Sequence, residues 1–130
     1  MDGLLEEARE ARGGAIVPYS EFPVGAALRT ADGAVYGGCN MEVVNYSNSL
    51  HAEEVAFARA LFDGHREFDA VAVSGPHGDG LTPCGMCRQT IAEFCDPEFE
   101  VVVDLGDSPH VYTLGELLPA TMRSDDVLRT

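Results

Sequence analysis

The sequence contains no lysine. All 8 of its basic residues are arginine, they face 22 acidic residues, and the formal net charge is −14. An acidic surface repels phosphate backbones and anionic lipid, which argues against nucleic-acid and membrane partners. The same composition is also typical of proteins from a salt-rich cytosol, where that repulsion is screened. The charge therefore bears on habitat more than on activity.

Long apolar runs are also missing, because no stretch approaches the roughly 20 residues that a membrane span requires. The first residues, MDGLLEEAREARGG, are acidic where a secretory signal is basic. We therefore expect a soluble, cytoplasmic protein. Its 130 residues, 45% of them hydrophobic, suit one domain spanning residues 1–130.

Hydrophobic spacing and turn residues predict alternating strands and helices. The predicted helices cover residues 4–12, 51–64, 83–95 and 114–118, and the predicted strands cover 22–30, 34–40, 69–75, 99–106 and 110–114. Asp32-Gly33 predicts a tight hairpin turn between the first two strands. Two strands followed by alternating helices and strands indicate the α/β class, as a three-layer α/β/α arrangement around a mixed, five-stranded sheet.

The 4 cysteines favour a metal or catalytic site over a disulfide framework in a cytosolic chain. Only Cys84 and Cys87, in PCGMCRQ, have the spacing of metal ligands, and we expect Cys39 and Cys95 in the core. His51-Ala52-Glu53 opens the preceding helix. H-x-E followed by P-C-x-x-C is the pattern of zinc deaminases.

One histidine and two cysteines leave the fourth position of a tetrahedral zinc open to water, as a catalytic site requires. Taken alone, C-x-x-C is as often structural, and H-x-E carries almost no information. The two motifs together, each at a predicted helix start, are much more specific. They predict His51, Cys84 and Cys87 as ligands of one Zn²⁺ and Glu53 as the catalytic proton shuttle.

We expect Thr82 to cap the third helix and Pro83 to occupy its first position. Both thiols then lie in the first turn, where the helix dipole favours thiolate. The helix starts that carry the two motifs are expected to meet at one edge of the sheet, where ligands of α/β proteins commonly bind.

Most of the chain resembles the cytidine deaminase family, of the short type that acts on free nucleosides. The resemblance is carried by the two zinc motifs and by VPYSEFPVGAAL at 17–28, GCNMEVVNY at 38–46 and TLGELLP at 113–119. It implies a cytidine deaminase-like fold, one Zn²⁺ per subunit and a homotetramer. It also implies hydrolysis of cytidine and deoxycytidine to uridine and deoxyuridine, with release of ammonia.

The same resemblance assigns substrate contacts. It implies that Asn40 and Glu42 bind the sugar hydroxyls and that Phe22 lies against the base. Backbone groups of Ala52 and Thr82 are implied to contact the pyrimidine, with Tyr46 and Gln89 supporting the site. On composition alone, Asn40 and Glu42 could equally be solvated hairpin residues and Phe22 a core aromatic.

Three departures from the family pattern concern the metal and the substrate. His51 and Glu54 stand where short members carry Cys and Arg in C-A-E-R, and the neutral imidazole removes the need for that extra cation. Met122 stands where the family carries a Phe that closes over the base from a neighbouring subunit. The segment VNYSNSLHAE is more polar than usual.

These departures leave other functions open. One alternative is deamination of another cytosine nucleoside, such as an antibiotic of the blasticidin S type, and another is a non-catalytic, zinc-stabilised binding module. Editing of a polynucleotide is disfavoured because no basic cluster exists. His65, His77 and His110 are expected at the surface, and His77 and Asp79 could border the pocket.

Overall fold

The computed structural model describes residues 2–78 and 80–128. The strands within these residues are β1 (Gly25–Thr30), β2 (Val35–Cys39), β3 (Phe68–Ser74), β4 (Glu100–Asp104) and β5 (Pro109–Thr113). The α-helices within the same residues are α1 (Asp2–Arg12), α2 (Ala52–Phe62), α3 (Gly85–Phe94), α4 (Leu114–Leu117) and α5 (Ser124–Leu128). Within the described part of the chain, no helix has the length and apolar character that a membrane crossing needs.

The strands form one sheet in the order β2-β1-β3-β4-β5. β3 and β4 are parallel, whereas the other neighbours are antiparallel, so the mixed five-stranded sheet is confirmed. Gly33 lies in the β1–β2 turn with φ +97°, a conformation that glycine adopts without steric cost, as the Asp-Gly pair predicts.

Both faces of the sheet are covered, which confirms three layers. Successive strand residues point to opposite faces, so Ala27 packs with Leu4 and Leu5 of α1 while Leu28 packs with residues of α2 and α3. The α1 face of the sheet is built mainly from small side chains. The opposite face is larger and includes Leu28, Phe57, Val71, Ile91, Val101 and Val103.

Gly38 determines how closely α2 approaches the sheet. A Cβ at Gly38 would lie 2.4 Å from the carbonyl oxygen of Ala52 and 2.6 Å from the backbone nitrogen of Ala56. No side chain fits in that space, so β2 and the first turns of α2 make direct backbone contact. The start of α2 is thereby positioned against the edge of β2.

Two details of the predicted elements are wrong. α3 begins at Gly85, with Cys84 rather than Thr82 as its N-cap, because the backbone of Cys84 is still extended (φ −68°, ψ 169°). The sequence also did not indicate the short 3₁₀ helix Tyr46–Asn48 or α5. Cys95 is buried, as expected, whereas Cys39 is only partly buried.

A buried ionic network fixes α1 to the ends of β3 and β4. Asp104, 4% exposed, accepts hydrogen bonds from Arg9 Nε at 2.9 Å and Nη2 at 2.8 Å, and from Ser74 Oγ at 2.8 Å. The Arg9 hydrogen bond is the main cause that lowers the pKa of Asp104 well below its usual range. Arg12 extends the network by donating to Ser74 Oγ and to the carbonyl of Gly75. The loop that leads from β3 to α3 is thereby anchored at its start.

We predict that Asp104→Asn lowers the free energy of unfolding by about 2 kcal/mol at pH 7, because an amide cannot accept both guanidinium hydrogen bonds. A carboxyl whose pKa is depressed in the folded state stabilises the fold above its unfolded pKa of about 3.9 and loses this contribution at lower pH. The difference between variant and wild type should therefore shrink from pH 7 to pH 3. Urea unfolding of the metal-free proteins measures both values.

Asp69 provides the control, because its side chain is 51% exposed and lies 3.8 Å from Arg29. Asp69→Asn is expected to change stability by less than about 0.5 kcal/mol. A difference between Asp104→Asn and wild type that is as large at pH 3 as at pH 7 would show that the ionised carboxylate is not the source of the stabilisation.

Candidate active site

Two helix starts bring the predicted metal ligands together. His51 is the N-cap of α2 and Cys84 is the N-cap of α3, both in extended backbone conformation. Cys87 follows Cys84 by three residues and therefore lies on the same face of the first turn of α3. The expectation that these two helix starts meet at one edge of the sheet is confirmed.

The distances between the three side chains fit a tetrahedral zinc. His51 Nδ1 lies 3.2 Å from Cys87 Sγ and 3.4 Å from Cys84 Sγ. Ligands at roughly 2.3 Å (sulfur) and 2.0 Å (nitrogen) from a tetrahedral zinc are about 3.5 Å from each other. All three donor atoms lie within 4.8 Å of one another, and no other such group of three occurs in residues 2–78 and 80–128. The imidazole uses Nδ1 toward the thiols.

The first turn of α3 does not by itself produce a thiolate at Cys87. The side chain is fully buried, and burial raises the pKa of the thiol, with further increases from the nearby Glu53 carboxyl and the Cys84 sulfur. The expectation that the helix dipole favours thiolate is therefore wrong for Cys87 in the metal-free protein. A divalent cation supplies the positive charge that the buried sulfur needs in order to ionise.

Glu53 lies beside the ligands. Its side chain is 6% exposed and lies near the Cys87 thiol. Burial raises the pKa of Glu53, and this effect outweighs the opposing influence of the nearby His51. A carboxyl whose pKa is raised by burial holds a proton more readily than an exposed carboxyl and can release it next to a metal.

These groups open into a cavity of about 490 Å³, a size typical of small-molecule sites. Most of the predicted substrate contacts line this one cavity, although they come from distant parts of the sequence. The predicted site residues among its lining are Phe22, Asn40, Glu42, His51, Ala52, Glu53, Thr82 and Cys84.

Glu42 is held by several hydrogen-bond donors. Its Oε1 accepts from the backbone N–H groups of Tyr19 and Ser20, each at 3.0 Å. Its Oε2 accepts from the Ser20 hydroxyl and from the Tyr46 hydroxyl. Burial opposes the ionised form, but these hydrogen bonds outweigh burial and lower the pKa of Glu42. The cavity therefore presents a fixed, ionised acceptor that is 7% exposed.

Asn40 and Phe22 are linked to each other. Asn40 Nδ2 donates to the carbonyl of Phe22, and Asn40 Oδ1 accepts from the backbone N–H of Val24, each at 2.9 Å. Asn40 thus orients the segment that carries Phe22, and it keeps one amide hydrogen and one lone pair for another partner. Phe22 is partly exposed in the cavity wall and packs edge-on against the His77 ring. Asp79, the other candidate for the pocket border, lies outside the described residues.

Arg88 supports the site through hydrogen bonds that the sequence did not predict. It donates to the carbonyl of Pro83, the hydroxyl of Thr82 and the carbonyl of Leu117, all within 2.9 Å. It therefore fixes the backbone that enters the metal site at Cys84. The sequence carries no signal for this role, because two of these acceptors are main-chain carbonyls, one of them 29 residues away.

Met122 lies outside the cavity of its own chain. It is 58% exposed and is not among the described residues that line the cavity. Its carbonyl accepts a hydrogen bond from Gln89 Nε2 at 2.9 Å, which ties the C-terminal segment to α3. Gln89 thus supports this segment rather than the metal ligands, and Tyr46 contacts Glu42, as expected of a pocket-supporting residue.

Comparisons with known proteins agree with this geometry. The model of the cytidine and deoxycytidylate deaminase zinc-binding region matches residues 2–103. The cytidine deaminase of Sporosarcina psychrophila is 43% identical over 128 residues, which cover 98% of this chain and 94% of that protein. Blasticidin-S deaminase of Bacillus cereus is more distant, at 32% identity over 104 residues and 74% of each chain.

Among solved structures, the crystal structure of cytidine deaminase from Burkholderia pseudomallei matches with a TM-score of 0.89 and 43% identity. The match covers 93% of this chain and 98% of that one. The cofactor of this protein is therefore zinc, and the group of His51, Cys84 and Cys87 could hold it. This chain belongs to the family of zinc-dependent cytidine and deoxycytidylate deaminases.

Proposed function

We propose that this enzyme catalyses the hydrolytic deamination of cytidine and deoxycytidine to uridine and deoxyuridine, with release of ammonia. The observation that carries the proposal is the buried Glu53 carboxyl next to the zinc-binding group, in the same cavity as the ionised Glu42. One end of a nucleoside needs proton transfer and the other needs hydroxyl recognition. The cavity offers a group suited to each.

When bound, zinc supplies a Lewis acid that lowers the pKa of water to about 7. Glu53 accepts the proton that the attacking water loses as its oxygen adds to the amine-bearing ring carbon. Glu53 delivers this proton to the adjacent ring nitrogen. It then carries the second proton, taken from the added oxygen as the C=O bond forms, to the amine, and the C–N bond breaks with release of ammonia. Burial favours the protonated form of Glu53, which allows the carboxyl to hold a proton between these two transfers.

The other cavity residues would bind and orient the nucleoside. Glu42 accepts from the sugar hydroxyls, and the remaining amide hydrogen of Asn40 donates to the same sugar. Phe22 lies against the base. Backbone groups of Ala52 and Thr82 contact the pyrimidine carbonyl and the amine. The Thr82 side chain takes no part in this contact, because its hydroxyl accepts a hydrogen bond from Arg88.

We also propose that residues 1–130 form one catalytic domain and that the protein works in the cytoplasm in nucleoside salvage. A site with two thiols must stay reduced in order to bind zinc, which favours a reducing compartment. An acidic surface without lysine suits a cytosol of high salt. The chain offers no basic cluster for a polynucleotide.

A second candidate substrate is a cytosine nucleoside antibiotic of the blasticidin S type. The similarity to the Bacillus cereus enzyme and the presence of Met122, a flexible apolar residue, favour this candidate. An ammonia-release screen in molar salt distinguishes the substrates, with cytidine, deoxycytidine, cytosine, CMP, blasticidin S and a cytosine oligonucleotide as probes. Zinc-loaded protein that is inert on all of them would instead indicate a binding module.

We expect Glu53→Gln to retain zinc and to lower kcat for cytidine by about 10³-fold, because the amide cannot move a proton between water and the amine. Zinc content is measured by atomic absorption, and kcat by ammonia release. Equal zinc content in variant and wild type is the control for the metal site. Turnover close to that of the wild type would remove Glu53 from the proposed role.

We expect Glu42→Gln to lower kcat/KM for cytidine by about 10- to 100-fold, because a hydrogen bond to a charged acceptor contributes roughly 1.5–3 kcal/mol. The matched substrate is 2′,3′-dideoxycytidine, which lacks the 2′ and 3′ hydroxyls. Its kcat/KM should fall little when Glu42 is changed. An equal loss with both substrates would mean that Glu42 acts on the fold of the pocket and not on the sugar.

The proposed assembly is a homotetramer in which neighbouring subunits cover the cavities. In support, Tyr46 and Met86 line the cavity although they are 55% and 51% exposed, and Met122 is exposed outside it. Light scattering coupled to gel filtration should give four times the chain mass. A monomer with full deaminase activity would contradict the proposed role of neighbouring subunits.

A further inference from the structure

The structure gives Glu54 a definite position. Its Oε1 accepts a hydrogen bond from the backbone N–H of His51 at 2.8 Å. His51 is the N-cap of α2 and Glu54 is the third residue of the helix, so this contact is the carboxylate half of a capping box. We infer that Glu54 is a positioning residue, which holds the backbone of the zinc ligand His51 so that its imidazole faces both thiols.

The geometry of His51 explains why such support is needed. An N-cap side chain ordinarily turns back onto its own helix. The His51 imidazole also has Nδ1 3.2 Å and 3.4 Å from the sulfurs of Cys87 and Cys84. The direction of the ring toward both thiols is set by the backbone of His51, which the hydrogen bond to Glu54 holds.

The charge of Glu54 does not explain a benefit to the metal site. Two thiolates and the Glu53 carboxyl already place negative charge at the site, and a further anion opposes their ionisation. The charge of Glu54 favours the start of α2, so a benefit to the metal site must come from its hydrogen bond. An arginine, which the family pattern has at this position, offers only donors and could not accept from the His51 N–H. A glutamine could.

Two substitutions at Glu54 separate the effect of the hydrogen bond from the effect of the charge. Glu54→Gln keeps an acceptor and removes the charge. Glu54→Met removes both while retaining similar length and good helix propensity. If the bond positions the ligand, Glu54→Gln should behave like the wild type and Glu54→Met should not.

The chain contains a matched control in α4. Thr113 is the N-cap of α4, and its backbone N–H donates to Glu116 Oε1 at 2.8 Å, the same contact at the same spacing. Glu116 is exposed, and α4 carries no metal ligand. Glu116→Met therefore removes an equivalent cap without touching a zinc ligand.

The test measures the transfer of zinc from loaded protein to an excess of a chromophoric chelator. Loss of a contact that orients a metal ligand typically costs 10- to 100-fold in affinity, so Glu54→Met should release zinc at least about tenfold faster than the wild type. Glu54→Gln and Glu116→Met should release it at the wild-type rate. With cobalt in place of zinc, the thiolate-to-metal absorption band should change in Glu54→Met alone.

Thermal unfolding of the metal-free proteins separates positioning from simple loss of a helix cap. Both methionine variants lose a cap and should both unfold at lower temperature than the wild type, whereas only Glu54→Met should change zinc release and the cobalt spectrum. If Glu54→Met yields no folded protein, Glu54→Ala is measured in its place against the same outcomes.

Wild-type zinc release in Glu54→Met would overturn the inference. Equally fast release by Glu54→Gln and Glu54→Met would also overturn it, because the charge and not the hydrogen bond would then matter. The inference rests on zinc binding at His51, Cys84 and Cys87 and requires no turnover. Its failure would therefore leave the proposed deamination, tested at Glu53, unaffected.

Discussion

The candidate site depends on the convergence of two helix starts, which brings His51, Cys84 and Cys87 close enough together to hold one metal ion. His51 precedes α2, Cys84 precedes α3, and the Nδ1 of His51 lies within 3.4 Å of both sulfurs. N-cap residues are not yet helical, so their side chains can point away from the helix axis toward a shared point. The rest of the fold brings the two helix starts to that point: Gly38 lets α2 contact β2, and the parallel pair β3–β4 leaves α3 on the same face of the sheet.

The electrostatic environment of the site favours the binding of a cation. Burial raises the pKa of both Cys87 and Glu53, so without a metal the neutral forms are favoured. A bound zinc would reverse this balance for the thiols, because its positive charge favours their ionised forms. The pKa of Glu42 is shifted in the opposite direction, because four hydrogen bonds favour its ionised form despite burial. Two carboxyl groups in one cavity are thereby suited to different tasks.

Local patterns in the sequence predict much of this molecule. The 3.6-residue spacing of α1 and α2, the Asp-Gly turn and the apolar run of β3 are each decided by neighbours in sequence, so the elements and the layer arrangement follow from them. The group that could hold zinc was also predictable in part, because thiols three residues apart at a helix start can bind one ion. The N-cap of α3 was misplaced by two residues because Thr82 is a good capping residue whose hydroxyl is instead bound by Arg88.

The sequence by itself determined the order of elements, and its two short motifs indicated the side chains that could hold zinc and the Glu53 carboxyl, since each motif is made of residues close together in the chain. Only the tertiary structure decided that Glu42 is ionised, that Asn40 orients the Phe22 segment, that Arg88 fixes the entry to Cys84 and that Met122 lies outside its own cavity. These outcomes depend on backbone groups of distant segments as partners. Backbone donors and acceptors are the same in every residue except proline, so no letter of the sequence identifies which one a side chain will meet.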